Sequence, residues 1–148
     1  MIYLGADHRG YALKEKIKKF LEELGHDVHD LGALEYNKDD DYPDFAKAVA
    51  EKVVTNPESR GILICGSGIG IAIAANKIKG IRAGTAAAPA QAKAAVNDED
   101  LNILCLSADY LPNADVAAKE IVEAFVDAKF SGEERHVRRI GKIENFNK

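Results

Sequence analysis

Gly61-Ile62-Leu63-Ile64-Cys65-Gly66-Ser67-Gly68-Ile69-Gly70 drives a short apolar run into a cysteine and then into a turn with glycine at every second position. A run of this length bounded by turn residues reads as a strand buried on both faces, and Ser67 to Asn76 then reads as a helix. Strand, tight turn and helix make one βα unit of an open parallel sheet. The same unit recurs in both directions. Upstream, Ile2 to Ala6 is a strand, and Leu13, Ile17, Phe20, Leu21 and Leu24 fall at helical spacing before Gly25, a residue suited to ending a helix. Val28 to Leu31 is a brief second strand, Asn37 to Asp41 an acidic loop, and Pro43 opens a helix carrying Phe45, Val49 and Val53. Downstream, Ile81 to Ala83 and Ile103 to Ser107 supply strands four and five, each followed by an alanine-rich helix, near Pro89 to Val96 and Ala114 to Ala128. The pattern predicts an α/β fold, one three-layer domain over residues 1–148 with a five-stranded, mainly parallel sheet. In the tail, residues 129–148, Val137, Ile140, Ile143 and Phe146 recur at helical spacing beside basic residues. With no later strand to cover, this segment is expected to pack on a second subunit.

The 148 residues suffice for one core. No apolar run approaches the ~20 residues of a membrane span, and a net charge of −4 argues against nucleic acid as a general partner. The chain enters its first strand without the features of a secretory signal. Its two cysteines, Cys65 and Cys105, lie in apolar segments, which points to a reducing, cytoplasmic setting. No Cys/His spacing suggests a metal. Gly66-x-Gly68-x-Gly70 is too short for a dinucleotide fingerprint, and no acidic residue ends Ile81-Arg82-Ala83, so no cofactor is expected.

Three segments could carry chemistry, each read in two ways. Cys65 meets a glycine turn and a helix N-terminus, where backbone N–H groups favour a thiolate or a developing oxyanion; a core cysteine ahead of a turn fits the same residues. In Gly5-Ala6-Asp7-His8-Arg9-Gly10, His8 suits proton transfer and Asp7 can orient it or hold a sugar hydroxyl, or Asp7 only caps the first helix. Arg135 and Arg139 lie four apart and share one helical face, suited to a phosphate or simply a solvated basic face.

Taken in order, Gly5-Ala6-Asp7-His8-Arg9-Gly10-Tyr11-Ala12-Leu13-Lys14, Asp41-Tyr42-Pro43-Asp44, Ile64-Cys65-Gly66-Ser67-Gly68-Ile69-Gly70 through Lys77, Gly80-Ile81-Arg82-Ala83 and Arg135-His136-x-x-Arg139 resemble the type B ribose-5-phosphate isomerases and the related galactose-6-phosphate isomerase subunits. The resemblance spans nearly the whole chain. It implies a Rossmann-like sheet, a homodimer or dimer of dimers, no metal, and active sites completed by the neighbouring subunit. It implies that Cys65 moves a proton between ribose 5-phosphate and ribulose 5-phosphate through an enediolate. Ser67 and the backbone of Gly66, Gly68, Ile69 and Gly70 would stabilise the oxyanion. Asp7 and His8 would hold substrate oxygens, Tyr42 would line the pocket, Arg135 and Arg139 would grip the phosphate, and His136 would contact substrate.

The chain departs from that family at three places. An ungapped reading puts Asp98 and Glu99 where the family has a ring-opening histidine followed by asparagine; a shift of two residues would put Val96 and Asn97 there. Asp98 is then the candidate acid, Glu99 a candidate substrate contact, and His8 or His136 the alternatives. Asp109 stands where the family has a phosphate-binding arginine, and Ala86-Ala87-Ala88-Pro89 replaces a more polar stretch. A six-carbon sugar phosphate, galactose or allose 6-phosphate, or a non-catalytic phosphosugar-binding subunit are the other functions compatible with these changes.

Overall fold

Eleven elements follow one another in the computed structural model, which describes residues 1–146: β1 Ile2–Ala6, α1 Tyr11–Glu23, β2 Val28–Asp30, α2 Tyr42–Thr55, β3 Arg60–Cys65, α3 Ile69–Ala75, β4 Ala83–Thr85, α4 Pro89–Glu99, β5 Ile103–Ser107, α5 Ala114–Asp127 and α6 Glu134–Glu144. The strands form one sheet in the order β2-β1-β3-β5-β4, and every pairing is parallel. β3 lies at the centre, its residues Gly61 to Cys65 all buried. Because side chains alternate along a strand, Ile62 and Ile64 enter one core with Leu13, Ile17 and Leu21 of α1 and Ile121, Val122 and Phe125 of α5. Leu63 and Cys65 enter the other, with Val49, Ala50 and Val53 of α2 and Ile71 and Ala75 of α3. Each fully buried aliphatic side chain contributes about 2 kcal/mol, so these two clusters hold the three layers together. Lys14 is an exception in the first layer: its side chain is fully buried, and its Nζ donates to Asp30 Oδ2 at 2.6 Å, tying α1 to the end of β2.

The chain steps from β1 outward to β2, then crosses back to β3 on the other side of β1. Strand order therefore reverses between β1 and β3, and in open α/β sheets the crevice beyond the carboxyl ends at such a point is where ligands bind.

Two elements start two residues later than the sequence reading has them. Strand four begins at Ala83, not Ile81: the Ile81 N–H closes a turn on Ile78 O, and the Arg82 N–H is taken by Asn102 Oδ1 at 2.8 Å, so the ladder with β5 starts only at Ala83↔Ile103. The third helix begins at Ile69, not Ser67, because Gly68 sits at φ +73 in the left-handed region, which breaks the helical path before it. The tail forms α6 as its spacing predicts, with Val137, Ile143 and, just beyond it, Phe146 exposed. Asn147 and Lys148, the last two positions of that tail, lie outside the described residues. No helix among the described residues is long and apolar enough to cross a membrane.

Candidate active site

Cys65 is the last residue of β3 and is buried, and the Gly68 N–H donates to its Sγ at 3.2 Å. The turn that supplies this donor is clamped from the neighbouring strands. Thr85 Oγ1, at the end of β4, donates to Gly68 O at 2.6 Å, and Ser107 Oγ, at the end of β5, donates to Gly66 O at 2.8 Å. A Cβ on Gly68 would stand 2.9 Å from the Leu106 carbonyl carbon and from Thr85 Cγ2, so the turn has room only for glycine there. Ser67 is exposed, and its Oγ accepts the Ile69 N–H at 3.1 Å, leaving its own hydrogen to donate. Ile69 is exposed at the start of α3. A Cβ on Gly70 would meet Tyr42 Cζ at 2.8 Å, so Tyr42, the first residue of α2, packs its ring on the first turn of α3.

The register of β1 on β3, Ala6↔Ile64, puts Asp7 beside Cys65. The loop Asp7 to Gly10 lies flat on β3 because Gly10 has no side chain: a Cβ would fall 2.4 Å from Ile64 O. Asp7 is buried, and its Oδ1 accepts the N–H groups of Arg9 and Gly10 at 3.0 and 3.1 Å. It thus closes the turn ahead of α1, whose N-cap Gly10 has no side-chain cap. Burial pushes its carboxyl above the ordinary value, against the Gly10 N–H, His8 and the Arg9 N–H, which pull it down. The neighbouring thiol, Cys105 of β5, is fully buried; burial first and the proximity of Cys65 second push it far up, so it stays protonated.

His8 rests on a residue that the sequence reading treated only as part of an acidic loop. Its backbone N–H and its Nδ1 both meet Asp40 Oδ1, at 2.9 and 2.7 Å, and the Tyr36 ring stands edge-on at 6.3 Å. Thr85, Ser107, Arg9 and Asp40 are the site residues that reading missed. The first two carried a usable signal, a hydroxyl at the carboxyl end of a strand. Arg9 forms an ion pair with Asp109. The pair lies over Gly66, whose Cβ would approach Arg9 Nε to 2.6 Å and Asp109 Oδ2 to 2.7 Å.

One chain therefore brings together Asp7, His8, Tyr42, Cys65, Gly66, Ser67, Gly68, Ile69 and Gly70. It does not bring Asp98, Glu99, Arg135, His136 and Arg139 to them. Asp98 and Glu99 end α4, which precedes β5, and the Ser131 N–H donates to Asn97 O, placing the start of α6 beside them. This group lies at the amino end of β5, whereas Cys65 pairs with Ser107 at its carboxyl end, about 13 Å along the strand. There His136 is buried, its Nδ1 2.6 Å from Ser131 Oγ and its Nε2 3.7 Å from Asp98 Oδ1. Arg135 and Arg139 are exposed, Arg135 bonding Glu133 at 2.9 Å. Among the described residues no three His, Cys, Asp or Glu side chains gather as a metal site requires.

A family model described as Ribose/Galactose Isomerase matches residues 2–143. The probable ribose-5-phosphate isomerase B of Mycoplasma pneumoniae is 43% identical over 143 residues, covering 96% of this chain and 91% of its own. The ribose-5-phosphate isomerase B of Mycobacterium tuberculosis is 41% identical over 145 residues, covering 98% of this chain and 88% of its own. Among solved structures, the ribose-5-phosphate isomerase B of Mycoplasma genitalium with bound ribulose-5-phosphate superposes with a TM-score of 0.91 at 42% identity, covering 97% of this chain and 93% of that one.

Proposed function

The chain belongs to the ribose/galactose isomerase family, and from that membership we propose that it interconverts ribose 5-phosphate and ribulose 5-phosphate through an enediolate. The observation that carries this reading is the setting of Cys65, which ends a buried central strand, receives a backbone N–H on its sulfur and stands beside Asp7 where strand order reverses.

Aldose and ketose differ by one proton shifted between C2 and C1 and a second shifted between O2 and O1. The Cys65 thiolate takes the C2 proton, the C–H electron pair becomes the C1–C2 double bond, and the C1 carbonyl oxygen becomes the enediolate oxygen. The proton on Cys65 returns to C1, the O2–H proton passes to O1, and C2 becomes the carbonyl. The charge that builds on oxygen is met by the Ser67 hydroxyl and the free N–H groups of the first turn of α3; removing one such preorganised donor costs on the order of 100-fold. Asp7 and His8 hold substrate oxygens, and Tyr42, seated on Gly70, forms a wall of the pocket.

The phosphate needs cations, and at the cysteine end of one chain Arg9 is already matched by Asp109. We therefore place the grip on Arg135 and Arg139 of a second copy, in a homodimer or dimer of dimers. The partner's Asp98, beside its own His136, opens the sugar ring, and the partner's Glu99 contacts substrate. Exposed Val137 and Ile143 on α6, and Tyr42, Ile69 and Ile73 near the cysteine end, are the apolar surface such an assembly would bury. The two free thiols suit a cytoplasmic setting.

The test is ribulose 5-phosphate formation from ribose 5-phosphate by the purified protein and by Cys65→Ala, which should lose about 1,000-fold in kcat. Galactose and allose 6-phosphates run in parallel. Turnover of a six-carbon substrate alone would reassign the substrate, and no turnover of any would overturn the reading.

A further inference from the structure

We propose that Asp40 is a positioning residue for substrate binding, holding the His8 imidazole so that Nε2 is the nitrogen offered to a substrate oxygen. The inference rests on the reading above that His8 binds substrate.

One carboxylate oxygen, Asp40 Oδ1, takes both the backbone N–H of His8 at 2.9 Å and its Nδ1 at 2.7 Å. The ring cannot turn about its side-chain bonds without giving up the second contact. An ionised carboxylate only accepts, so Nδ1 carries the proton. Nε2 has no hydrogen-bond partner among the described residues. Neutral, it accepts from a substrate hydroxyl; charged, it donates to a substrate oxygen.

The folding of the loop does not by itself account for Asp40. Its side chain is only 10% exposed, and Oδ2 is buried without a hydrogen-bond partner, an arrangement that costs stability. The N-cap of α2 is the next residue, Asp41, and the turn before it is made by Asn37, whose Oδ1 accepts the Asp39 N–H at 3.0 Å and whose carbonyl accepts the Asp40 N–H at 3.1 Å. What Asp40 reaches instead is a side chain 32 residues earlier in the chain, at the carboxyl end of β1.

The test compares Asp40→Ala with Asp40→Asn, whose amide oxygen can still accept both bonds. Asp40→Ala should raise KM for ribose 5-phosphate about 10-fold with kcat changed less than about 3-fold, and Asp40→Asn should restore most of the loss. ¹⁵N NMR should find the His8 Nδ1 protonated in the parent and in Asp40→Asn, and a redistributed tautomer in Asp40→Ala. In a His8→Ala background, adding Asp40→Ala should change KM no further. An unchanged KM, an unchanged Nδ1 signal in Asp40→Ala, or an additive effect in the double variant would each overturn the proposal. If the parent fails to turn over ribose 5-phosphate, the function reading fails, while the NMR comparison still decides whether Asp40 sets the His8 ring.

Discussion

Two inactive variants of this chain should restore activity when their subunits are mixed. The first is Cys65→Ala, which removes the proposed proton carrier at the carboxyl end of β3; the second is Arg135→Ala with Arg139→Ala, which removes two cations of α6. Within one chain these groups stand at opposite ends of the sheet, separated by about 13 Å along β5 before the outward offset of α6 is counted. A site that needs both must draw them from two copies. In a twofold dimer the consequence is countable. Random mixing in equal amounts makes half of the dimers mixed, and each mixed dimer has one site carrying both lesions and one site carrying neither, so activity should return to about a quarter of the parent value. The assay is ribulose 5-phosphate formation after co-expression with two affinity tags, with native mass spectrometry counting the mixed species. If mixed dimers form and stay inactive, each chain uses its own arginines, and the two-copy site is wrong.

Two further substitutions separate chemistry from packing. Cys105 lies fully buried in β5, where burial keeps it a neutral thiol. Cys105→Ser should cost about 2 kcal/mol in urea unfolding by burying a hydroxyl, with kcat per folded molecule unchanged; a collapse in kcat like that of Cys65→Ala would put Cys105 in the reaction. Asp7 is held above its ordinary value of 3.8 by burial, so the folded chain binds that proton more tightly than the unfolded chain does. Its contribution to stability is full below 3.8 and is lost as pH rises through the higher folded value. Asp7→Asn, whose oxygen can still accept the Arg9 and Gly10 N–H groups, escapes that loss: its Tm should exceed the parent's at pH 7, with the gap closing below about pH 4, while turnover falls. A parent more stable than Asp7→Asn at pH 7 would mean that the carboxylate charge itself holds the loop.

How much of this was legible follows from how local each signal is. β1, β3 and β5 are buried on both faces, and that burial writes continuous apolar runs into the sequence. β4 is an edge strand of Ala83-Gly84-Thr85 with weak strand preference, and its start is fixed by the Asn102 side chain, a partner 20 residues on, so the reading placed it two residues early. The glycine turn after Cys65 could be read because the left-handed Gly68 and the crowded Gly66 and Gly70 demand their residue type locally. Asp39, Asp40 and Asp41 offer three adjacent carboxylates, and which one folds back onto His8 depends on the turn that Asn37 makes.

Asp109 illustrates the same limit and has a consequence for the site. Read in sequence it adds a negative charge where a dianion must bind, yet in the fold it meets Arg9, brought from the far end of β1, across the face of Gly66. Both partners are partly exposed, so the pair is worth at most about 1 kcal/mol to stability. Its effect is on charge: the corner beside Cys65 is neither repulsive to the phosphate nor able to hold it, since the Arg9 guanidinium already has its counterion. In the proposed two-copy site the dianion takes its cations from Arg135 and Arg139 of α6, which stand at the other end of the sheet within their own chain.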